Sequence, residues 1–164
     1  MEPRIVELAE RKLVGKKIRT SLSENRTREL WQQFKPAARS IRGRASTDFY
    51  SVQFFDEGTT FETITPRTLF DKWAAVEVSD FENIPPAMLP LLLSGKYAVF
   101  IHTGLPSRFP ETAEFIYRGW LPKSGYEVDA RAHFEIMSSD YRPDDPNAHE
   151  EVWVPIRSGT GANR

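Results

Sequence analysis

A chain of 164 residues and 18.9 kDa, with 40% apolar and 27% charged residues, has the size and balance of one soluble domain with a sizeable core. A formal net charge of −1 supplies no basic surface for neutralising phosphates, and the one basic cluster, Arg39, Arg42 and Arg44, is better placed to complement a helix dipole. With no cysteine in the sequence, disulfides and thiolate chemistry are excluded.

Residues 4–8 and 12–20 predict two strands joined by a charged turn, Ala9-Glu10-Arg11. A helix follows, with Leu30, Trp31, Phe34, Ala38 and Ile41 along one face. Ser23 is its expected N-cap, Pro36 a kink and Gly43 its stop. Strands are expected at 49–55 and 72–78, parted by a polar turn through Asp56, Glu57 and Gly58. Residues 81–88 contain Pro85 and Pro86 and predict an extended linker. The second half places a strand at 96–103, a helix from Pro110 to Trp120 with proline in its first turn, and strands at 126–137 and 150–156. The tail, 158–164, has no apolar residue larger than alanine and is expected to be flexible.

The order of elements repeats, and two passages end alike, in Val76-Glu77-Val78-Ser79-Asp80 and in Phe134-Glu135-Ile136-Met137-Ser138-Ser139-Asp140. These features predict an α+β fold with an antiparallel sheet. It is built from two pseudo-twofold-related strand–helix–strand–strand halves, with two main helices on one side and a central ligand cleft. One domain over 1–157 is expected, with halves of about 4–80 and 81–157. The N-terminus lacks the pattern of a signal peptide. The longest apolar stretch, 84–93, is broken by three prolines, too short to cross a bilayer. A cytoplasmic location is therefore expected.

Alternation along 126–137 sets Tyr126, Val128, Ala130, Ala132, Phe134 and Ile136 toward a helix-covered core, and Glu135 the other way with His133 and Met137. By alternation alone Glu135 would sit on an ordinary solvated sheet face. Tyr50 and Phe54 share one face of their strand, Phe100 and His102 share one face of theirs, and Trp153 lies opposite Val152 and Val154. Rings around a carboxylate suit flat or cationic ligands, through stacking and cation–π attraction. His102, His133 and His149 have no metal-binding spacing, and no phosphate loop or dinucleotide fingerprint occurs, so neither metal nor cofactor is expected.

Four passages carry a family resemblance: Tyr-Ala-Val-Phe-Ile-His-Thr-Gly at 97–104, Trp-Leu-Pro-Lys-Ser-Gly-Tyr-Glu at 120–127, His-Phe-Glu-Ile-Met at 133–137, and Val-Trp-Val-Pro-Ile at 152–156. In this order they resemble the GyrI-like, or AraC-type effector-binding, family of small-molecule-binding domains, from about Arg4 to Ile156. The resemblance implies that Glu135 points into a cleft between the halves and meets cationic or hydrogen-bonding ligands there. Expected wall residues are Tyr50, Phe54, Phe100, His102, Tyr117, Trp120 and Trp153. Some such relatives hydrolyse cyclopropane-bearing electrophiles with a glutamate and a tryptophan, which would make Glu135 a catalytic base beside Trp120 or Trp73. One relative inhibits gyrase, so a protein-interaction role is a further alternative. Relatives often carry a DNA-reading segment before this domain, and a first strand at Arg4 leaves no room for one. The expected partner is a small molecule, with a protein partner or a homodimer possible in addition, and neither nucleic acid nor membrane.

Overall fold

The structure, a computed structural model, describes residues 2–159. Its first strand, β1 (Arg4–Thr20), runs unbroken where the sequence predicts two. Ala9, Glu10 and Arg11 include no glycine, proline or asparagine to reverse the chain, so they are absorbed as a bulge between Leu8 and Arg11. The chain continues through α1 (Thr27–Ala38), β2 (Phe49–Phe55), β3 (Phe70–Val78) and β4 (Leu89–Thr103). A helix α2 then opens at Phe109–Glu114, widens to π geometry over Phe115–Trp120 and closes with Leu121–Ser124. β5 (Tyr126–Val128), β6 (His133–Met137) and β7 (His149–Ser158) complete the fold.

Several local expectations change. Ser23 is not the cap of α1; its N–H donates to Pro66 O at 2.8 Å, and Arg26 precedes the helix without a side-chain cap. Pro36 stays inside α1, two residues before its end, where little helix remains to lose. β4 starts at Leu89 instead of residue 96; Pro90 is tolerated because β4 pairs only with β1 there, and β7 joins from Tyr97 onward. The expected strand 126–137 divides into β5 and β6, which lie on opposite sides of β7. At the tail, Ser158 still pairs with Tyr126 and Gly159 N–H donates to Gly125 O at 2.9 Å, while residues 160–164 lie outside the described residues.

All seven strands pair antiparallel in the order β4-β1-β3-β2-β6-β7-β5, and β4 also pairs with β7. Six strands thereby close into a ring, with β5 outside it. The pairing β1·β3·β2 is repeated as β4·β7·β6, and the two sets join like to like through β1·β4 and β2·β6. A twofold relation requires that arrangement. The echo of Glu77 and Glu135 is not part of the repeat, because Glu77 lies on β3, whose counterpart is β7, while Glu135 lies on β6.

Ring closure creates two kinds of core. Inside it, Leu13, Tyr50, Val52, Trp73, Tyr97, Phe134 and Trp153 pack together. Outside it, α1 covers Val14, Ala74, Val76 and Val78 through Leu30, Phe34 and Ala38, and α2 covers Ala98, Phe100, Val152, Val154 and Ile156 through Ile116. Phe134 and Ile136 thus face the ring interior and not the helices. An open-sheet reading supplies one core only, so it assigns them to the wrong one. Gly15 permits β1 to approach β3: a Cβ there would lie 2.2 Å from Ala74 O.

Candidate functional site

The strands β2 and β6 pair along the seam between the two helices. Their inward residues fill the ring, so by strand alternation Ser51, Gln53, His133 and Glu135 turn outward onto that seam. Registers extend it into two rows: Ala74, Ser51, Glu135 and Val152 across β3, β2, β6 and β7, and beside it Lys72, Gln53 and His133. Ser51 and Ala74, both small and buried, share the row of Glu135. Neither apolar helix-facing cluster includes the polar seam residues, which lie between the patches that α1 and α2 cover.

Glu135 keeps partial exposure, yet its Oε2 is buried with no hydrogen-bond partner. Burial raises its carboxyl above the usual carboxylate range, opposed by the Lys72 charge, the Gln53 side chain and His102. Glu150 is pushed up to about 8, by burial first and then by the charge of Glu135, with Lys72 acting the other way. Burial lowers the buried Lys72 from the ordinary lysine value, against the pull of Glu135 and Glu150. Burial also pushes His133 down to about 4, so at neutral pH its ring is uncharged.

Aromatic walls rise on the α2 side. Tyr117 sits in the π segment, its hydroxyl 3.3 Å from His133 Nδ1 and its phenol raised by burial and by Glu135. Phe61, in the loop 56–69, stacks on Tyr117 with centroids 5.0 Å apart. Arg118 lies over Phe61 at 5.3 Å and pairs with Glu62 at 3.4 Å, so the loop is fastened across α2. Phe55 meets the His133 ring edge-on at 5.2 Å. The π geometry is what turns Tyr117 and Arg118 out of strict helical phase, and such segments recur at functional sites.

The predicted wall residues divide among three places. Tyr117 and His102 share the outer face with Glu135, and His102 joins β4 to α2: its Nε2–H donates to Leu105 O at 3.1 Å and Nδ1 accepts from Thr112 Oγ1 at 2.6 Å. Phe100 and Trp120 are packed under α2, 5.3 Å apart edge to face, and Trp120 stacks on Tyr126. Tyr50, Phe54 and Trp153 belong to the ring interior, across the sheet from Glu135, and so does Trp73. No tryptophan joins the cluster around Glu135; Tyr117 and His133 occupy that neighbourhood. Lys72, Gln53, Ser51 and Glu150 were not anticipated. Lys72 had a legible signal, a lone cation in phase with Ala74, Val76 and Val78. Among the described residues no group of three histidine or acidic side chains could hold a metal ion.

Tyr50 and Trp153 also line a hollow of about 600 Å³ beside the β1 bulge. Its arginines are already engaged: Arg11 donates to Tyr50 Oη at 2.8 Å and lies 3.8 Å from Glu77, and Arg4 pairs with Glu151 at 3.0 Å. The buried carboxylate oxygen without a partner, Glu135 Oε2, lies instead on the β2–β6 seam, which we take as the candidate site.

A twofold antiparallel ring with two covering helices and a carboxylate-floored seam defines a class of α+β ligand-binding domain. The chain belongs to the GyrI-like small-molecule-binding domain family, whose pattern it matches over residues 1–157. It is similar in fold to SAV2435 bound to tetraphenylphosphonium, with TM-score 0.71, 17% identity, and 96% of this chain and 94% of that one covered. The C-terminal domain of EcmrR gives TM-score 0.71 at 11% identity, covering 96% and 98%. A hydrolase encoded by lin2189 from Listeria innocua gives 0.65 at 12% identity, covering 95% and 92%. At such identities the likeness shows the fold alone. No curated protein matches the sequence. Among the described residues no helix is long and apolar enough to cross a membrane.

Proposed function

We propose that this domain binds flat aromatic, cationic small molecules in the cleft between α1 and α2, with Glu135 as the counter-charge. The observation that carries the reading is the buried, unpartnered Oε2 of Glu135 on the polar seam. A carboxylate held in low dielectric without a partner is expensive, and a ligand cation or donor removes that cost. Tyr117, with Phe61 stacked on it, and the Phe55 ring supply the faces for planar ligands. That SAV2435 is found with tetraphenylphosphonium, an aromatic cation that is tetrahedral and not flat, supports the choice of charge.

Calorimetric titration with tetraphenylphosphonium and a panel of cationic dyes tests it. Glu135→Gln keeps the shape and deletes the charge, so cations should weaken by about 1–3 kcal/mol while neutral aromatics change little. Equal affinity of both proteins for every cation would sink the reading.

A second reading, hydrolysis of cyclopropane-bearing electrophiles, is favoured by the grouping of the raised Glu135 carboxyl with Tyr117 and His133, and by the similarity to the Listeria hydrolase. Glu135 would take a proton from water as it attacks the strained carbon, and the opened ring would carry away the bonding pair. Incubation should then give a ring-opened, water-added product with wild type and none with Glu135→Gln. Recovery of unchanged compound at saturating protein would leave the binder standing.

A further inference from the structure

The cleft floor holds a buried cation as well as a buried anion, and the two are not joined. Lys72 is 9% exposed on β3, and among the described residues it forms no ion pair within 4 Å. It nevertheless lies in the field of Glu135 and Glu150. The register explains the gap: β2 stands between β3 and β6 and the two residues lie in neighbouring rows, so their backbones are more than two strand spacings apart, over about 9–10 Å. Ser51 and Ala74 put no bulk into that interval. Gln53, the residue between Lys72 and His133, turns its amide nitrogen to Ser51 Oγ at 3.3 Å.

Glu135 Oε2 is buried without a partner and Lys72 keeps only 9% exposure, so both charges lose most of their hydration without meeting each other, at a cost in free energy. A plain cation offsets the cost at Glu135 and aggravates the one at Lys72. A molecule with both signs offsets both. We propose that the preferred ligand of this cleft is zwitterionic: a flat aromatic whose cationic or N–H end meets Glu135 and whose carboxylate, or equivalent anionic group, meets Lys72. Lys72 is then the residue that sets specificity, selecting against simple lipophilic cations. The proposal rests on the binding reading above and adds the second charge to it.

The test uses one xanthylium dye in two forms, the free carboxylic acid (a zwitterion at neutral pH) and its methyl ester (a monocation), which share a ring system. Both are titrated by fluorescence anisotropy against wild type, Lys72→Met, Lys72→Arg and Glu135→Gln, with circular dichroism confirming each fold. Wild type should prefer the free acid by about tenfold, and Lys72→Met should reverse the order by tightening the ester and weakening the acid. Lys72→Arg, which keeps the charge, should retain the wild-type order even if Lys72→Met does not fold. Glu135→Gln should weaken both forms. An ester bound as tightly as the acid by wild type, or a ratio unmoved in a folded Lys72→Met, overturns the zwitterion proposal and leaves cation binding at Glu135 intact. Two forms that bind wild type and Glu135→Gln alike, or that fail to bind wild type, overturn the binding reading itself and this proposal with it.

Discussion

The two faces of the β2–β6 seam differ in how fully their groups are satisfied. On the inner face Tyr97, Phe134 and Trp153 pack at centroid distances of 5.0 to 5.7 Å, and the polar tips find partners: Tyr97 Oη donates to Ala132 O at 2.7 Å, and Arg11 donates to Tyr50 Oη. On the outer face, one residue along, Glu135 Oε2 is buried without a partner, Lys72 forms no ion pair among the described residues, and Glu150 and His133 are displaced from their ordinary ionisation. The inner face holds the ring together; the outer face carries groups whose burial is unfavourable without a partner. On the reading proposed above, strand alternation separates stability from recognition.

That separation can be broken first from the inside. Phe134→Ala removes a fully buried ring from the centre of the inner cluster and should cost about 3–5 kcal/mol in urea unfolding. If the ring interior were loosely packed the loss would be far smaller. Gly15→Ala drives a Cβ against the Ala74 carbonyl, a backbone atom that cannot move aside, and should cost about 1–3 kcal/mol without touching the cleft. A folded Gly15→Ala protein that had lost dye binding would show that the faces are not separable.

The outer face should respond oppositely. Glu135→Leu should abolish cation binding yet raise the stability of the ligand-free protein, by about 1 kcal/mol, because an orphaned buried carboxylate is replaced by an apolar group. Thermal melts of the two proteins read this directly; a destabilised but folded variant would argue that Glu135 is a structural anchor.

The pH dependence sharpens the same point. Glu150 titrates near 8 in the fold against an ordinary 4.5, so the folded state holds a proton that the unfolded chain has lost. Its contribution to stability is full below about 4.5 and is lost as pH rises through about 8. His133 works the other way, its depressed ionisation costing stability as pH falls from 6.5 toward 4. Comparing Glu150→Gln with wild type cancels the histidine, and the variant's melting temperature should fall less between those limits; parallel curves would remove Glu150 from the buried cluster. The smallest effect belongs to Phe61→Ala, which unstacks the 56–69 loop from Tyr117 at a cost of about 1 kcal/mol or less in stability and shows mainly as weaker dye binding.

Local order was legible in the residues themselves. The period along Leu30, Phe34 and Ala38 marks α1, alternation marks β2 and β6, and the repeated order of elements foretells the twofold pairing. At the 9–10 bulge and the Pro90 edge the expectation failed because the pairing opposite decides the outcome: β4 lies along β1 on both sides of the bulge, so the chain need not reverse there. Glu135 stood out as a charge inside an apolar strand. What the sequence could not supply was its surroundings. Tyr50 and Trp153, expected beside it, are put on the opposite face by the β2·β6 and β6·β7 registers, which set them against Ile136 and Phe134. Lys72 and Glu150 are brought toward it from β3 and β7. Periodicity fixes which residues share a face of one strand. Only the closing of the sheet decides whether that face is an interior or a cleft, because enclosure depends on contacts between strands and not on the order of residues within one.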